Sequence, residues 1–212
     1  MRNMPNILSS SRILATIFVY VLIIVNQQWA FIVATVIFAL ASATDYFDGK
    51  LARRYETVSP LGIFLDLTAD KVFVSAILIA LVQIGLVPGW VTVIIVAREF
   101  LVTGLRSMAA AKGTVIPAGP WGKQKTFITL VALGGLLLAM GLGAGLSNPH
   151  LSLFPPYLNF NSQTLQISQL MLLLADALLL VGTLWTIISG AEYMIGALPL
   201  FKNKTETSAT KV

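Results

Sequence analysis

The sequence predicts an all-α fold, an integral membrane bundle of six transmembrane helices with both termini cytoplasmic. Three observations lead there. Apolar residues make up 57% of the 212-residue chain and charged ones 11%, whereas a soluble domain carries roughly 25% charge. Mean hydropathy is +0.85, and so little polar surface cannot cover a water-facing body. The apolar residues also fall into six stretches, each near or above the roughly 20 helical residues that cross a hydrocarbon core about 30 Å thick. Finally, basic residues collect at alternate ends of those stretches, the asymmetry that orients membrane proteins.

The six spans are expected over residues 7–25, 29–54, 61–84, 90–111, 122–145 and 165–198. The first lacks a clear small-residue cleavage site and five more follow, so it reads as a retained helix. Breaks fall at Asn26-Gln27-Gln28, Ser59-Pro60, Pro88-Gly89, the segment from Pro117 to Pro120, and the Asn/Pro-rich stretch 147–162. These are residue types that punctuate helices. The sixth stretch is long for one crossing, with a bend expected near Ser189-Gly190. Residues 1–201 thus form one six-helix membrane domain, and 202–212 a polar C-terminal tail. Trp29, Trp90 and Trp121 stand at span ends, where interfacial aromatics gather.

Charge gives the orientation. Arg2, the group Lys50, Arg53 and Arg54, the group Lys112, Lys123 and Lys125, and the tail lysines 202, 204 and 211 share one side. The opposite connections, 26–28, 85–89 and 146–164, contain no Lys, Arg, Asp or Glu. The basic side is therefore cytoplasmic. Topology and anionic lipid account for the net charge of +5, so nucleic acid is not an expected partner. With no cysteine and one histidine, His150, a thiolate or histidine-rich metal site is excluded. Any catalytic metal must rest on oxygen.

Four of the nine acidic residues are Asp45, Asp48, Asp66 and Asp70. A carboxylate inside a membrane helix costs about 2.5–3.5 kcal/mol on insertion scales, so it normally faces the bundle interior and has a function. Asp45 and Asp48 are spaced i,i+3, and Asp66 and Asp70 i,i+4, so each pair shares one helix face. At 1.5 Å per residue, Asp45 lies roughly 6 Å short of the inner edge of the core, Asp66 about 7.5 Å deep and Asp70 about 13.5 Å deep. All four fall in the cytoplasmic half of consecutive helices. Their charges require compensation, and two hard divalent cations about 3.5–4 Å apart would supply it. Structural salt bridges to Arg53, Arg54 and Lys71, or a cation path through a transporter, would use the same carboxylates.

Asp45-Tyr-Phe-Asp48-Gly49-Lys-Leu-Ala52-Arg53, then eight residues, then Gly62-x-x-x-Asp66-x-x-x-Asp70 resembles the signature of the CDP-alcohol phosphatidyltransferases at every fixed position. The resemblance implies six membrane helices, a polar cavity facing the cytoplasm, a homodimer, and transfer from a CDP-alcohol with release of CMP. It implies that Asp45, Asp48, Asp66 and Asp70 hold two Mg²⁺ or Mn²⁺ ions, with Asp70 also the general base for the acceptor hydroxyl. Gly49, Ala52 and Gly62 lack the bulk that would keep a nucleotide off the helices, although close helix packing also uses small residues. Arg53 can fork onto the diphosphate.

Further stretches resemble members of that family whose acceptor is glycerol 3-phosphate and whose donor is CDP-diacylglycerol. They are Met4-Pro5-Asn6-Ile7-Leu8 with Arg12, Ala97-Arg98-Glu99-Phe100 through Leu105-Arg106, and Gly122-Lys123-Gln124-Lys125-Thr126. The acceptor is a dianion, and its pocket needs fixed cations. Arg98, Arg106, Lys123 and Lys125 are the expected set, with positive-inside anchoring the other use for the two lysines. Glu99 or another acid is the expected buried partner of Arg98 where the substrate phosphate is not. Gly141-x-x-x-Gly145 fits a helix-packing seam and hints at a dimer contact. Asp176, isolated in the last stretch, carries no assigned role.

Overall fold

The computed structural model describes residues 4–55, 60–111, 113, 120–144 and 167–202, with side chains over 11–44, 68–111, 113, 121–122, 124–144 and 167–196. Among the described residues there is no strand. Six helices occupy the six expected stretches: α1 (Met4–Val25), α2 (Gln28–Tyr55), α3 (Pro60–Gln83), α4 (Gly89–Ala111), α5 (Pro120–Gly141) and α6 (Ile167–Lys202). His150 and residues 203–212 lie outside the described residues.

Helix ends follow from local chemistry. At the end of α3, Leu86 N–H donates to Leu81 O (2.9 Å) and Gly85 N–H to Val82 O (3.0 Å). This paired bonding needs a left-handed residue after the last turn, and Gly85 supplies it with φ 78°. The end of α5 repeats the motif: Ala144 N–H reaches Ala139 O, Gly143 N–H reaches Met140 O, and Gly143 has φ 93°. Gly143 therefore stops α5 at Gly141, short of the expected residue 145. Conversely, α6 runs as one helix through Ser189-Gly190. At Gly190, near which a bend is expected, the helix receives a neighbouring side chain, that of Arg98.

α5 packs most extensively against α6, and α1 against α3, with α2 laid along α5 and α1, and α4 along α6. The fully buried side chains include Phe31, Ile77, Leu81, Leu133, Leu136, Leu137 and Leu172. Phe38 of α2 and Phe73 of α3 stack in this core, ring centroids 5.5 Å apart. Gly141 is part of the same packing: a Cβ there would lie 2.9 Å from Ile32 Cγ1 and 3.1 Å from Ile32 N. The expected small-residue seam is thus occupied, at Gly141, by α2 of the same chain. Gly145 lies outside the described residues.

The outward faces are as apolar as the core. Phe18 and Leu40 are each 63% exposed and Phe127 70% exposed, with Ile79, Val93 and Leu184 also turned outward from α3, α4 and α6. Patches of this extent on a water-soluble monomer mark an interaction surface. Segments 124–141 and 167–196 are long and apolar enough to cross a membrane, with hydropathies of 1.4 and 2.2. Two such helices and these outward faces fit a membrane protein.

Candidate active site

The acidic signature is divided between two helices that the core holds together. Asp45 and Asp48 belong to α2, Asp66 and Asp70 to α3. The Phe38–Phe73 stack links these helices across the core, α1 packs against both, and the connection between them is four residues long, so they run in opposite senses. Position 45 lies seven residues beyond Phe38, and position 66 seven residues before Phe73. Seven residues are nearly two helical turns, about 10.5 Å. Both positions therefore stand at about the same level, on the connection side of the ring stack.

Asp70 is half-buried, one turn from Phe73. The side chains of Asp45, Asp48, Gly49, Ala52, Arg53, Gly62, Asp66 and Lys123 lie outside the described residues, although their backbones are helical. No group of three metal-ligating side chains occurs among the described residues. The donor set nevertheless suits a hard divalent cation: carboxylates on two consecutive helices, no cysteine and a single histidine.

A cavity of about 240 Å³ opens between α1 and α2, lined by Ser11, Arg12, Ala15, Ile37, Leu40, Ala41 and Thr44. Thr44 immediately precedes Asp45, so the cavity reaches the acid-bearing end of α2. Arg12, placed among the N-terminal resemblances, is 5% exposed. Its burial in an apolar helix exceeds what a simple inside-facing anchor needs.

The described cationic side chains do not converge as a single set. Lys125 Nζ on α5 and Arg98 Nη1 on α4 donate to the same carboxylate oxygen, Glu99 Oε1, the arginine at 3.0 Å. The Lys125 side chain is 4% exposed and that of Arg98 11% exposed. Such burial calls for pairing, and Glu99 satisfies both cations while leaving the group one net positive charge. Arg98 Nη2 also donates to Ser189 Oγ on α6, and its guanidinium carbon sits 5.6 Å from the centroid of the Tyr193 ring. Asp70 lies within electrostatic reach of Lys125, so this one signature carboxylate is near the cationic group. Arg106, two turns further along α4, is exposed and stands apart from them. Asp176 is buried in α6, with no ion-pair partner among the described residues.

Sequence reasoning anticipated Arg98 and Lys125 but not the sharing of Glu99 between them, nor Ser189 and Tyr193. The i,i+4 spacing of Ser189 and Tyr193 was the available signal: two polar side chains on one face of an otherwise apolar helix.

Fold and site together define a class: a helical protein with apolar outer faces, carboxylate positions on α2 and α3 and a buried Arg98–Glu99–Lys125 cluster. The chain belongs to the CDP-alcohol phosphatidyltransferase family, whose sequence profile matches residues 2–188; these enzymes are transferases. Among similar proteins is the CDP-diacylglycerol–glycerol-3-phosphate 3-phosphatidyltransferase of Bacillus subtilis (strain 168), 38% identical over 150 residues, 65% of this chain and 78% of that one. A protein of the same name from Rickettsia bellii (strain RML369-C) is 38% identical over 136 residues, 64% of this chain and 75% of its own. A probable phosphatidylglycerophosphate synthase of Mycobacterium tuberculosis is 45% identical over 115 residues, 54% of each chain.

Proposed function

We propose that the chain transfers the phosphatidyl group of CDP-diacylglycerol to glycerol 3-phosphate, giving phosphatidylglycerophosphate and CMP. The observation that carries this reading is the buried Arg98–Glu99–Lys125 group within electrostatic reach of Asp70. It offers a net positive site for a phosphate-bearing acceptor beside the signature carboxylates. The names of the similar proteins point to the same acceptor.

Asp45, Asp48, Asp66 and Asp70 would hold two divalent cations, Mg²⁺ or Mn²⁺. Bound there, the ions supply charge neutralisation for the donor diphosphate. Arg53 forks onto that diphosphate, and Gly49, Ala52 and Gly62 leave space for the nucleotide. Arg98 and Lys125 bind the acceptor phosphate, with Lys123 and Arg106 nearer the cytoplasmic entrance. Asp70 takes the proton of the acceptor hydroxyl. That oxygen forms a bond to the lipid-bearing phosphorus, the bond from this phosphorus to the bridging oxygen breaks, and CMP departs with that oxygen. Catalysis is then mainly positioning and electrostatic stabilisation.

The chain crosses the bilayer six times as a single domain over residues 1–201, with both termini and the site on the cytoplasmic side, and it works as a homodimer. Lipid tails stay in the bilayer while the water-soluble acceptor and CMP exchange with the cytoplasm. The charge asymmetry of the connections and the apolar outer faces support this arrangement.

The test is a radiolabelled acceptor panel with purified protein and CDP-diacylglycerol. Glycerol 3-phosphate is expected to give CMP and a labelled phospholipid, with inositol phosphate, serine and phosphatidylglycerol inactive. Turnover of one of those three in its place would overturn the acceptor.

A further inference from the structure

Every residue assigned so far to the acceptor pocket lies on α4 or α5, yet Arg98 owes most of its surroundings to α6. Ser189 is wholly buried and accepts from Arg98 Nη2. Tyr193, one turn on and 8% exposed, lies against the guanidinium. Between them stands Gly190, where a Cβ would come within 3.1 Å of Arg98 Cγ. The arginine stem thus passes over the helix at a residue without a side chain. Across from it, a Cβ on Gly122 of α5 would lie 3.7 Å from Tyr193 Oη and 4.0 Å from Arg98 Nη2.

We propose that Ser189, Gly190 and Tyr193 are positioning residues that aim Arg98 at the acceptor phosphate and so set acceptor affinity. This rests on the reading that Arg98 binds that phosphate.

The physical need is clear. An arginine side chain carries considerable rotamer entropy, and an unrestrained one would lose it each time the acceptor bound. Glu99 fixes one edge of the guanidinium, Ser189 a second nitrogen and the Tyr193 ring its position over α6. Arg98 Nε, on the remaining edge, is buried without a partner among the described residues. A buried donor without an acceptor is costly, and an anion beside the guanidinium would answer it. Ser189 and Tyr193 are, respectively, 91 and 95 positions away in sequence, so α6 holds Arg98 from a distant part of the chain.

The experiment is steady-state kinetics on the full-length protein in mixed micelles, varying each substrate in turn, for R98K, S189A, Y193F, Y193L and G190A, with thermal stability measured on the same samples. Y193L is expected to raise the KM for glycerol 3-phosphate by about threefold to thirtyfold, the range of a partly desolvated cation–π contact. S189A should raise it by about tenfold, as loss of a hydrogen bond to a charged group does. In both, the KM for CDP-diacylglycerol should stay within about twofold, and Y193F, which keeps the ring, should recover most of the affinity lost in Y193L. G190A, which crowds the Arg98 stem, should follow Y193L. If R98K raises the acceptor KM while Y193L and S189A leave it unchanged, the positioning role is overturned and the assignment of Arg98 stands. Equal losses toward both substrates, tracking lowered thermal stability, also overturn it. An R98K protein with unaltered acceptor KM would instead remove the underlying reading.

Discussion

Phe38 on α2 and Phe73 on α3 stack nearly parallel, with ring planes 12° apart. The acid positions Asp45 and Asp66 each lie seven residues from their own ring, toward the connection between the helices. The stack therefore ties the levels of the two signature-bearing helix segments to one another. Phe73→Ala removes that contact and leaves a cavity, a change worth about 3 kcal/mol or more in a packed core. Less is expected here, because lipid solvates newly exposed apolar surface far better than water does. The variant should melt several degrees lower in detergent and release CMP at least tenfold more slowly, whereas Phe73→Leu should keep most of both. Full turnover in the alanine variant would mean that the stack does not hold the register.

Metal dependence separates three uses of the four carboxylates. If they bind divalent cations, chelation should bring CMP release to background, and Mg²⁺ or Mn²⁺ should restore it. Asp45→Asn and Asp66→Asn should lower the apparent affinity for the ion as well as the rate. Structural salt bridges to Arg53, Arg54 and Lys71 would leave the rate indifferent to chelator. A cation path would give ion flux in liposomes with no CMP.

Asp70 has a further duty in this reading, since it takes the proton of the acceptor hydroxyl. Asp70→Asn keeps the size and one oxygen of the side chain while removing its capacity as a base at neutral pH. General-base assistance contributes about 10²–10⁴-fold, so CMP release should fall by at least that much. Binding of CDP-diacylglycerol, measured by equilibrium competition with a labelled nucleotide, should change far less. Substantial turnover by the asparagine protein would take the base role from Asp70.

How far the sequence reaches depends on how local the determining chemistry is. Helix positions were legible, because apolar run length, Pro60, Gly85 and Asn26 all act within a turn of where they sit; Asn26 even takes φ 52°. The end of α5 was misplaced because Gly141, Gly143 and Gly145 look alike in sequence, and only Gly143 adopts the left-handed cap among those described. Ser189-Gly190 was expected to bend α6, since Ser and Gly together often do. What those residues meet, the Arg98 stem, comes from another helix and leaves no periodic trace. Likewise the sharing of Glu99 between neighbouring Arg98 and distant Lys125 follows from packing of α4 on α6 and α6 on α5. The motif made the chemistry legible, while tertiary contacts decide how its cations are held.

Gly141 offers a test of what its helix face contacts. Small residues at four-residue spacing serve equally well within a chain or between chains, and here Ile32 of α2 fills the space, close enough that its backbone nitrogen would meet an added methyl. A backbone atom cannot rotate away as a side-chain tip can, so Gly141→Ala must separate α2 from α5. Overpacking of this kind costs about 1–3 kcal/mol, and Gly141→Leu should cost more. Because α2 carries Asp45 and Asp48, the displacement should also slow CMP release, with a graded effect from alanine to leucine. The oligomeric state, followed by light scattering in detergent, should stay as in the parent protein. A change in that state without loss of thermal stability would show that this face meets a second copy instead of Ile32.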